Sequence, residues 1–163
     1  MPAGRPRGLD LDPAMAAPVG QEVVTIDDRG RIRIPGWLVA DLDWFNFTQG
    51  AERYVLGVFE EPERIELRSW AQGSPAVLDF RAKLLQAGNY PAIRLLEDRY
   101  RRIEIPKDLR PTLGDGARAH LRLGPDQNSY VYFFRTGDTI EIASTTYRDR
   151  VLREASESEM ATI

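Results

Sequence analysis

Arg29, Arg31 and Arg33 stand in the stretch Thr25-Ile26-Asp27-Asp28-Arg29-Gly30-Arg31-Ile32-Arg33-Ile34-Pro35, with Arg29 at a turn and the other two on the strand after it. Side chains alternate across an extended chain, so Arg31 and Arg33 face one way and Ile32 and Ile34 the other. A guanidinium is a planar fork of N–H donors that meets phosphate oxygens, or guanine O6 and N7 together. Its chemistry is recognition rather than bond-making. Asp27, four residues before Arg31, can bridge the turn and aim that arginine. A second group, Arg99, Arg101 and Arg102, comes after Asp98 in Leu96-Glu97-Asp98-Arg99-Tyr100-Arg101-Arg102-Ile103-Glu104-Ile105-Pro106. Sliding one stretch onto the other superposes Asp27 on Asp98, Arg31 on Arg102, Ile32 on Ile103, Ile34 on Ile105 and Pro35 on Pro106, which marks an internal repeat.

Other chemistries have little to stand on. The chain has no cysteine and one histidine, His120, so thiolate sites, histidine clusters and Ser-His triads are not expected, and neither a metal nor a cofactor is implied. Glu60, Glu61 and Glu63 are split by Pro62 and read as a surface turn rather than a catalytic carboxylate pair. No phosphate-cradling glycine loop is present. Tyr130, Tyr132 and Phe134 alternate with Val131 and Phe133 and could stack on bases. Without interleaved basic residues, core packing is the expectation. An enzyme is the least supported class, and no small-molecule substrate is evident. The net charge of -3 over 163 residues is unlike a basic nucleic-acid binder. Screening over about 8–10 Å nevertheless makes the local patch matter more than the total.

The elements that must position the arginines are set by local pattern. Val23, Val24 and Ile26 lead into a turn at Asp27 to Gly30, where the glycine suits a positive φ, and a strand resumes at Arg31. Pro35 opens a short helix with Trp37, Leu38 and Leu42. Trp44–Thr48, Tyr54–Phe59 and Ile65–Leu67 read as strands. Ser74-Pro75 reads as the start of a helix with Val77, Phe80, Leu84 and Leu85 inward, ended by Gly88. The second half is expected to repeat the order: a hairpin of Ile93–Leu96 and Arg102–Ile105, a short helix Pro106–Leu113, a strand Ala117–Leu123, a turn Gly124–Ser129, strands Tyr130–Arg135 and Thr139–Ala143, and a last helix with Tyr147, Val151, Leu152 and Ala155 inward. This divides the chain into a flexible tail (1–20), two repeats (21–88 and 89–155) and a frayed C-terminal tail (156–163). Neither a signal peptide nor a membrane span is expected. One such unit is too small to bury both faces of its sheet. Two units, either the two repeats of one chain or repeats of neighbouring chains, should interleave their strands into a shared barrel.

The Asp-x-x-Gly-Arg-Ile-x-Ile-Pro string at Asp27 to Pro35 resembles the SpoVT/AbrB swapped-hairpin DNA-binding domain. Two copies in one chain, with Ile140-Glu141-Ile142 and a final helix after them, resemble the MraZ family over roughly Gln21 to Ala155. The resemblance implies a mainly β fold with short helices (α+β), in which two swapped-hairpin AbrB-like repeats form a shared double-psi-type barrel. It also implies a cytoplasmic, nucleoid-associated transcriptional regulator, typically a repressor. Such a protein assembles as a homo-oligomeric ring and binds short direct repeats in promoter double-stranded DNA. On that basis the DNA-binding residues are Arg29, Arg31, Arg33, Arg99, Arg101 and Arg102, supported by Asp27, Asp98 and Gly30. The second copy departs from the family pattern, with Arg101-Arg102 where the first has Gly30-Arg31, Tyr100 where the first has Arg29, and Glu104 where the first has Arg33. The first repeat is therefore expected to be the stronger reader. An alternative is an interaction or assembly module of the same fold that has lost DNA binding. A toxin-neutralising antitoxin would instead carry one repeat and a long partner-binding tail.

Overall fold

The computed structural model describes residues 19–45, 53–114, 116–123 and 129–159. The expected N-terminal tail up to residue 18, residues 124–128 of an expected turn and the last four residues lie outside the described residues. So does most of the Trp44–Thr48 strand, although Asp43–Phe45 forms a 3-10 turn.

In chain order the elements are β1 (Val19–Ile26), α1 (Gly36–Val39), β2 (Tyr54–Val58), β3 (Arg64–Ser69), α2 (Trp70–Gln86), α3 (Tyr90–Arg99), β4 (Tyr100–Glu104), α4 (Ala117–His120), β5 (Ser129–Thr136), β6 (Thr139–Ser144) and α5 (Thr145–Glu159). The strands make one antiparallel sheet in the order β1-β5-β6-β3-β2-β4. This is an α+β fold. The sheet has edges at β1 and β4, so the described strands do not close into the expected barrel.

The two halves of the chain interleave. β1 runs along β5 from Val19↔Thr136 to Ile26↔Ser129, and β3 along β6 from Arg64↔Ala143 to Leu67↔Ile140. At the centre Glu66 faces Glu141. Like charges directly opposite are destabilising, and Arg64 Nη2 neutralises the pair by donating to both, at 3.0 and 2.7 Å. Val24, Ile26, Ile65, Leu67, Val131, Phe133, Ile140 and Ile142 alternate inward and share one core with Ile32, Ile34, Ile103 and Ile105.

Several expected elements take another form. Ile93–Leu96 lies in helix α3, not in a strand. Asn89 Oδ1 caps it by accepting from Ala92 N at 3.3 Å, Pro91 sits in its first turn, and Ile93 and Leu96 bury one side. Helix α2 starts earlier than Ser74, at Trp70, because Ser69 Oγ accepts from Gln72 N at 3.2 Å; Pro75 is inside the helix. Its end is as expected: Gly88 at φ 69° closes a Schellman motif, with Gly88 N donating to Leu85 O and Asn89 N to Leu84 O. Phe80 and Leu85 are exposed rather than inward, as are Val151 and Leu152 on α5. Pro106–Leu113 is a turn and an extended segment rather than a helix, and Ala117–His120 is helical rather than a strand. On β5 the core takes Val131 and Phe133; Tyr130 is exposed, and Tyr132 and Phe134 stack on the other face at 6.0 Å.

Candidate nucleic-acid interface

The turn after β1 is built by Asp27. Its Oδ1 accepts the N–H groups of Arg29 and Arg31, both at 2.9 Å, while Gly30 N donates to Asp27 O at 3.1 Å and Asp27 N to Arg31 O at 3.0 Å. Gly30 takes φ 78°, as its position in the turn requires. Asp27 Oδ2 then accepts from Arg31 Nε at 2.7 Å. That bond fixes the direction of the guanidinium and leaves its two Nη groups for an outside acceptor. Arg29 and Arg33 are exposed, and Ile32 and Ile34 are 2% and 1% exposed.

Burial pushes the Asp27 carboxyl upward, but hydrogen bonds from the Arg31 backbone and side chain and from the Arg29 backbone outweigh it and hold the pKa below the usual carboxylate value. A depressed carboxylate stabilises the fold above its unfolded pKa, and that contribution disappears as the pH falls through the folded pKa. Asp27→Asn is therefore expected to be less stable than the parent at neutral pH, with the gap closing only as the pH falls from about 4, the unfolded value, through the lower folded pKa. Chemical denaturation at a series of pH values checks this; a constant gap down to acid pH would count against it.

Beyond the turn, the chain is paired across the halves. Ile32 N donates to Pro111 O at 3.2 Å, Ile34 N to Leu109 O at 2.8 Å and Leu113 N to Gly30 O at 2.9 Å, with Arg31 bridged to Thr112. This short ladder is symmetric: exchanging Gly30 with Leu109 and Ile34 with Leu113 turns the second bond into the third. The correspondence continues on both sides. Gly30 N→Asp27 O is matched by Leu109 N→Pro106 O at 3.0 Å, Gly30 at φ 78° by Leu109 at φ 60°, and buried Ile26, Ile34 and Leu42 by buried Ile105, Leu113 and Leu121. The repeat in the letters sets Asp27 against Asp98. The repeat in space sets it against Pro106.

The six arginines named from sequence thus separate. Arg31 and Arg33 line one shallow cleft with Thr25, Asp27, Ile32, Asp108 and Arg110, and Arg29 sits at its turn. Arg99, Arg101 and Arg102 lie at the end of α3 and on β4, the opposite edge strand. Arg101 donates to Asp98 O and Oδ1 at 2.9 and 3.0 Å, and its guanidinium sits 3.9 Å over the Phe59 ring. Asp98 pairs with Arg101 rather than with Arg102, the residue that the superposition sets on Arg31. Arg102 stacks 4.4 Å over Tyr54.

Arg118 is a site residue that sequence reasoning missed. It sits buried on α4, where Nη1 donates to Ile26 O at 3.2 Å and Asp27 O at 3.0 Å and Nη2 to Ser129 Oγ at 3.3 Å. Arg118 anchors the turn from beneath. Arg118→Met keeps much of the bulk but leaves those carbonyls without the donor, and is expected to lower stability by about 1–3 kcal/mol. Urea unfolding measures it, and an unchanged midpoint would refute the anchoring role.

His120 Nε2 lies 2.7 and 2.8 Å from the carbonyl oxygens of Glu61 and Arg64, and the tautomer with its proton on Nε2 ties these two backbone groups together. Among the described residues no cluster of three or more His, Cys, Asp or Glu could hold a metal ion, and no helix is long and apolar enough to cross a membrane. No protein-family model matches the chain, and no curated protein matches it.

Proposed function

We propose that the chain is a sequence-specific double-stranded-DNA-binding transcriptional regulator, a repressor of the tandem swapped-hairpin type that resembles the MraZ family. The observation that carries this reading is the Asp27-clamped turn, which holds Arg31 by its Nε and presents Arg29, Arg31 and Arg33 outward from a rigid, interleaved base. Rigid placement matters because a guanidinium fork discriminates a base only when its approach is fixed. The exchange of strands between the halves supports the swapped-hairpin reading.

Self-association into a ring is part of the same proposal. Leu78, Phe80 and Leu85 on α2 and Tyr90 and Leu95 on α3 are 49–61% exposed, apolar surface that these two helices leave uncovered. Several weakly basic turns on one assembly would bind repeated sites with a large effective concentration, which reconciles DNA binding with a net charge of -3. The same exposed apolar residues favour the second reading, an assembly module without DNA contact.

Salt dependence separates the two readings. Affinity for a DNA fragment is expected to fall by at least about tenfold between 50 and 200 mM salt, because each phosphate contact releases counterions. A flat profile, or no binding to any fragment at low salt, would favour the assembly module.

A further inference from the structure

We infer that the second half of the duplex contact is the turn Lys107 to Arg110, and not the arginines of the second sequence phrase. This rests on the DNA-binding reading and deepens it. The symmetric ladder between 30–34 and 109–113 places the Pro106–Arg110 turn where the Asp27–Arg31 turn sits in the other half. Its construction is similar. Leu109 N donates to Pro106 O at 3.0 Å as Gly30 N donates to Asp27 O, and Leu109 takes the positive φ that Gly30 takes; Asp108, which stands opposite Arg29 in this correspondence, accepts from Arg110 N at 3.1 Å through Oδ1, an acceptor placed two residues later than that of Asp27.

The side chains suit the role. Arg110 lines the same cleft as Arg31 and Arg33, so one anionic backbone lying there meets groups from both turns. Lys107 and Arg110 are exposed, and no carboxylate among the described residues holds either in an ion pair. By contrast Arg101 is engaged by Asp98 and Phe59, and Arg102 by Tyr54. The two turns differ in strength: the first brings three arginines, the second one lysine and one arginine with Asp108 beside them. One chain therefore offers a strong and a weak contact related by a local dyad, both on the face formed by the short ladder.

The test uses the full chain and a short labelled duplex of mixed sequence at low salt, with affinity and its salt slope measured for three double variants. Lys107→Ala with Arg110→Ala is expected to weaken binding roughly tenfold and to reduce the magnitude of the salt slope by about 2, as lost phosphate contacts do. Arg99→Ala with Arg102→Ala is expected to stay within about twofold of the parent on the same scale. Arg29→Ala with Arg31→Ala is expected to lose the most. If only that last pair matters, the second-turn inference is overturned while the DNA reading stands. If Arg99 and Arg102 matter and Lys107 and Arg110 do not, the sequence phrase was the true second contact. If none of the three changes a measurable affinity, the DNA reading itself fails. Lys107→Gln with Arg110→Gln should reproduce the alanine result, guarding against a local unfolding effect.

Discussion

Replacing Arg29, Arg31 and Arg33 together by alanine is expected to lower DNA affinity by at least about 100-fold at fixed salt while leaving the unfolding midpoint nearly unchanged. Each well-placed bidentate arginine contributes about 1–3 kcal/mol of base discrimination, and each phosphate contact adds a salt-dependent share. About 2.7 kcal/mol is already a factor of 100. The fold should tolerate the change, because all three side chains are exposed and, among the described residues, only Arg31 has a protein ion pair, with Asp27 at 2.7 Å. Exposed pairs of this kind contribute about 0–1 kcal/mol. The fitting control removes equal charge elsewhere: Lys83, Arg94 and Arg153, all exposed, replaced by alanine. If that triple weakened binding as much, the effect would be one of total charge and the turn would have no special role.

Gly30→Val is expected to destabilise the protein by about 2–5 kcal/mol and to abolish DNA binding under conditions where the residual folded fraction is high. Two costs combine. A side chain at φ 78° carries about 1–2 kcal/mol of backbone strain, more for a β-branched residue. A Cβ at this position would also lie 2.9 Å from Gly114 O, a backbone atom that cannot swing aside; forcing room in a packed region costs about 1–3 kcal/mol. Relief would push Gly30 away from Gly114 and break the Leu113 N→Gly30 O bond that ties the turns together. Gly88→Val separates the two costs. Gly88 has φ 69°, but a Cβ there meets nothing within 4 Å, so only strain remains. Urea unfolding of both variants is the measurement; equal losses would mean that the close approach to Gly114 has no energetic weight.

The first turn was legible because its chemistry is local. Aspartate, a glycine at the positive-φ position, and alternating isoleucine and arginine specify a bend, a buried face and a basic face without reference to the rest of the chain. The second phrase misleads for the same reason. Arg102-Ile103-Glu104-Ile105-Pro106 carries the letters of a strand that comes after a turn, but Asn89, Pro91 and a run of good helix formers make the preceding residues helical. The phrase consequently serves as the strand that precedes a turn. Its successor lacks a glycine, and Leu109 adopts φ 60° because its side chain packs against the core and the ladder with Ile34 holds its carbonyl. A signal was nonetheless available: Ile103, Ile105, Pro111 and Leu113 match the apolar spacing of Val24, Ile26, Ile32 and Ile34, and Pro106-Lys107-Asp108 has the composition of a turn.

Arg118 shows a different limit. Nothing in Ala117-Arg118-Ala119-His120 indicates that its arginine is buried under a turn some ninety positions earlier in the chain. That two units would interleave was foreseeable from the size of each; that both would come from one chain, and which strands would face each other, was not. Both edge strands precede a turn, and this comes from tertiary pairing with β2 and β5 rather than from propensity.

The most direct test is arginine modification by phenylglyoxal, read residue by residue by mass spectrometry, with and without a duplex selected from a random-sequence pool. Protection of Arg29, Arg31, Arg33 and Arg110, with Arg99 and Arg102 reacting equally in both states, is the expected result. Protection confined to Arg99, Arg101 and Arg102, or spread evenly over exposed arginines such as Arg94 and Arg153, would contradict it.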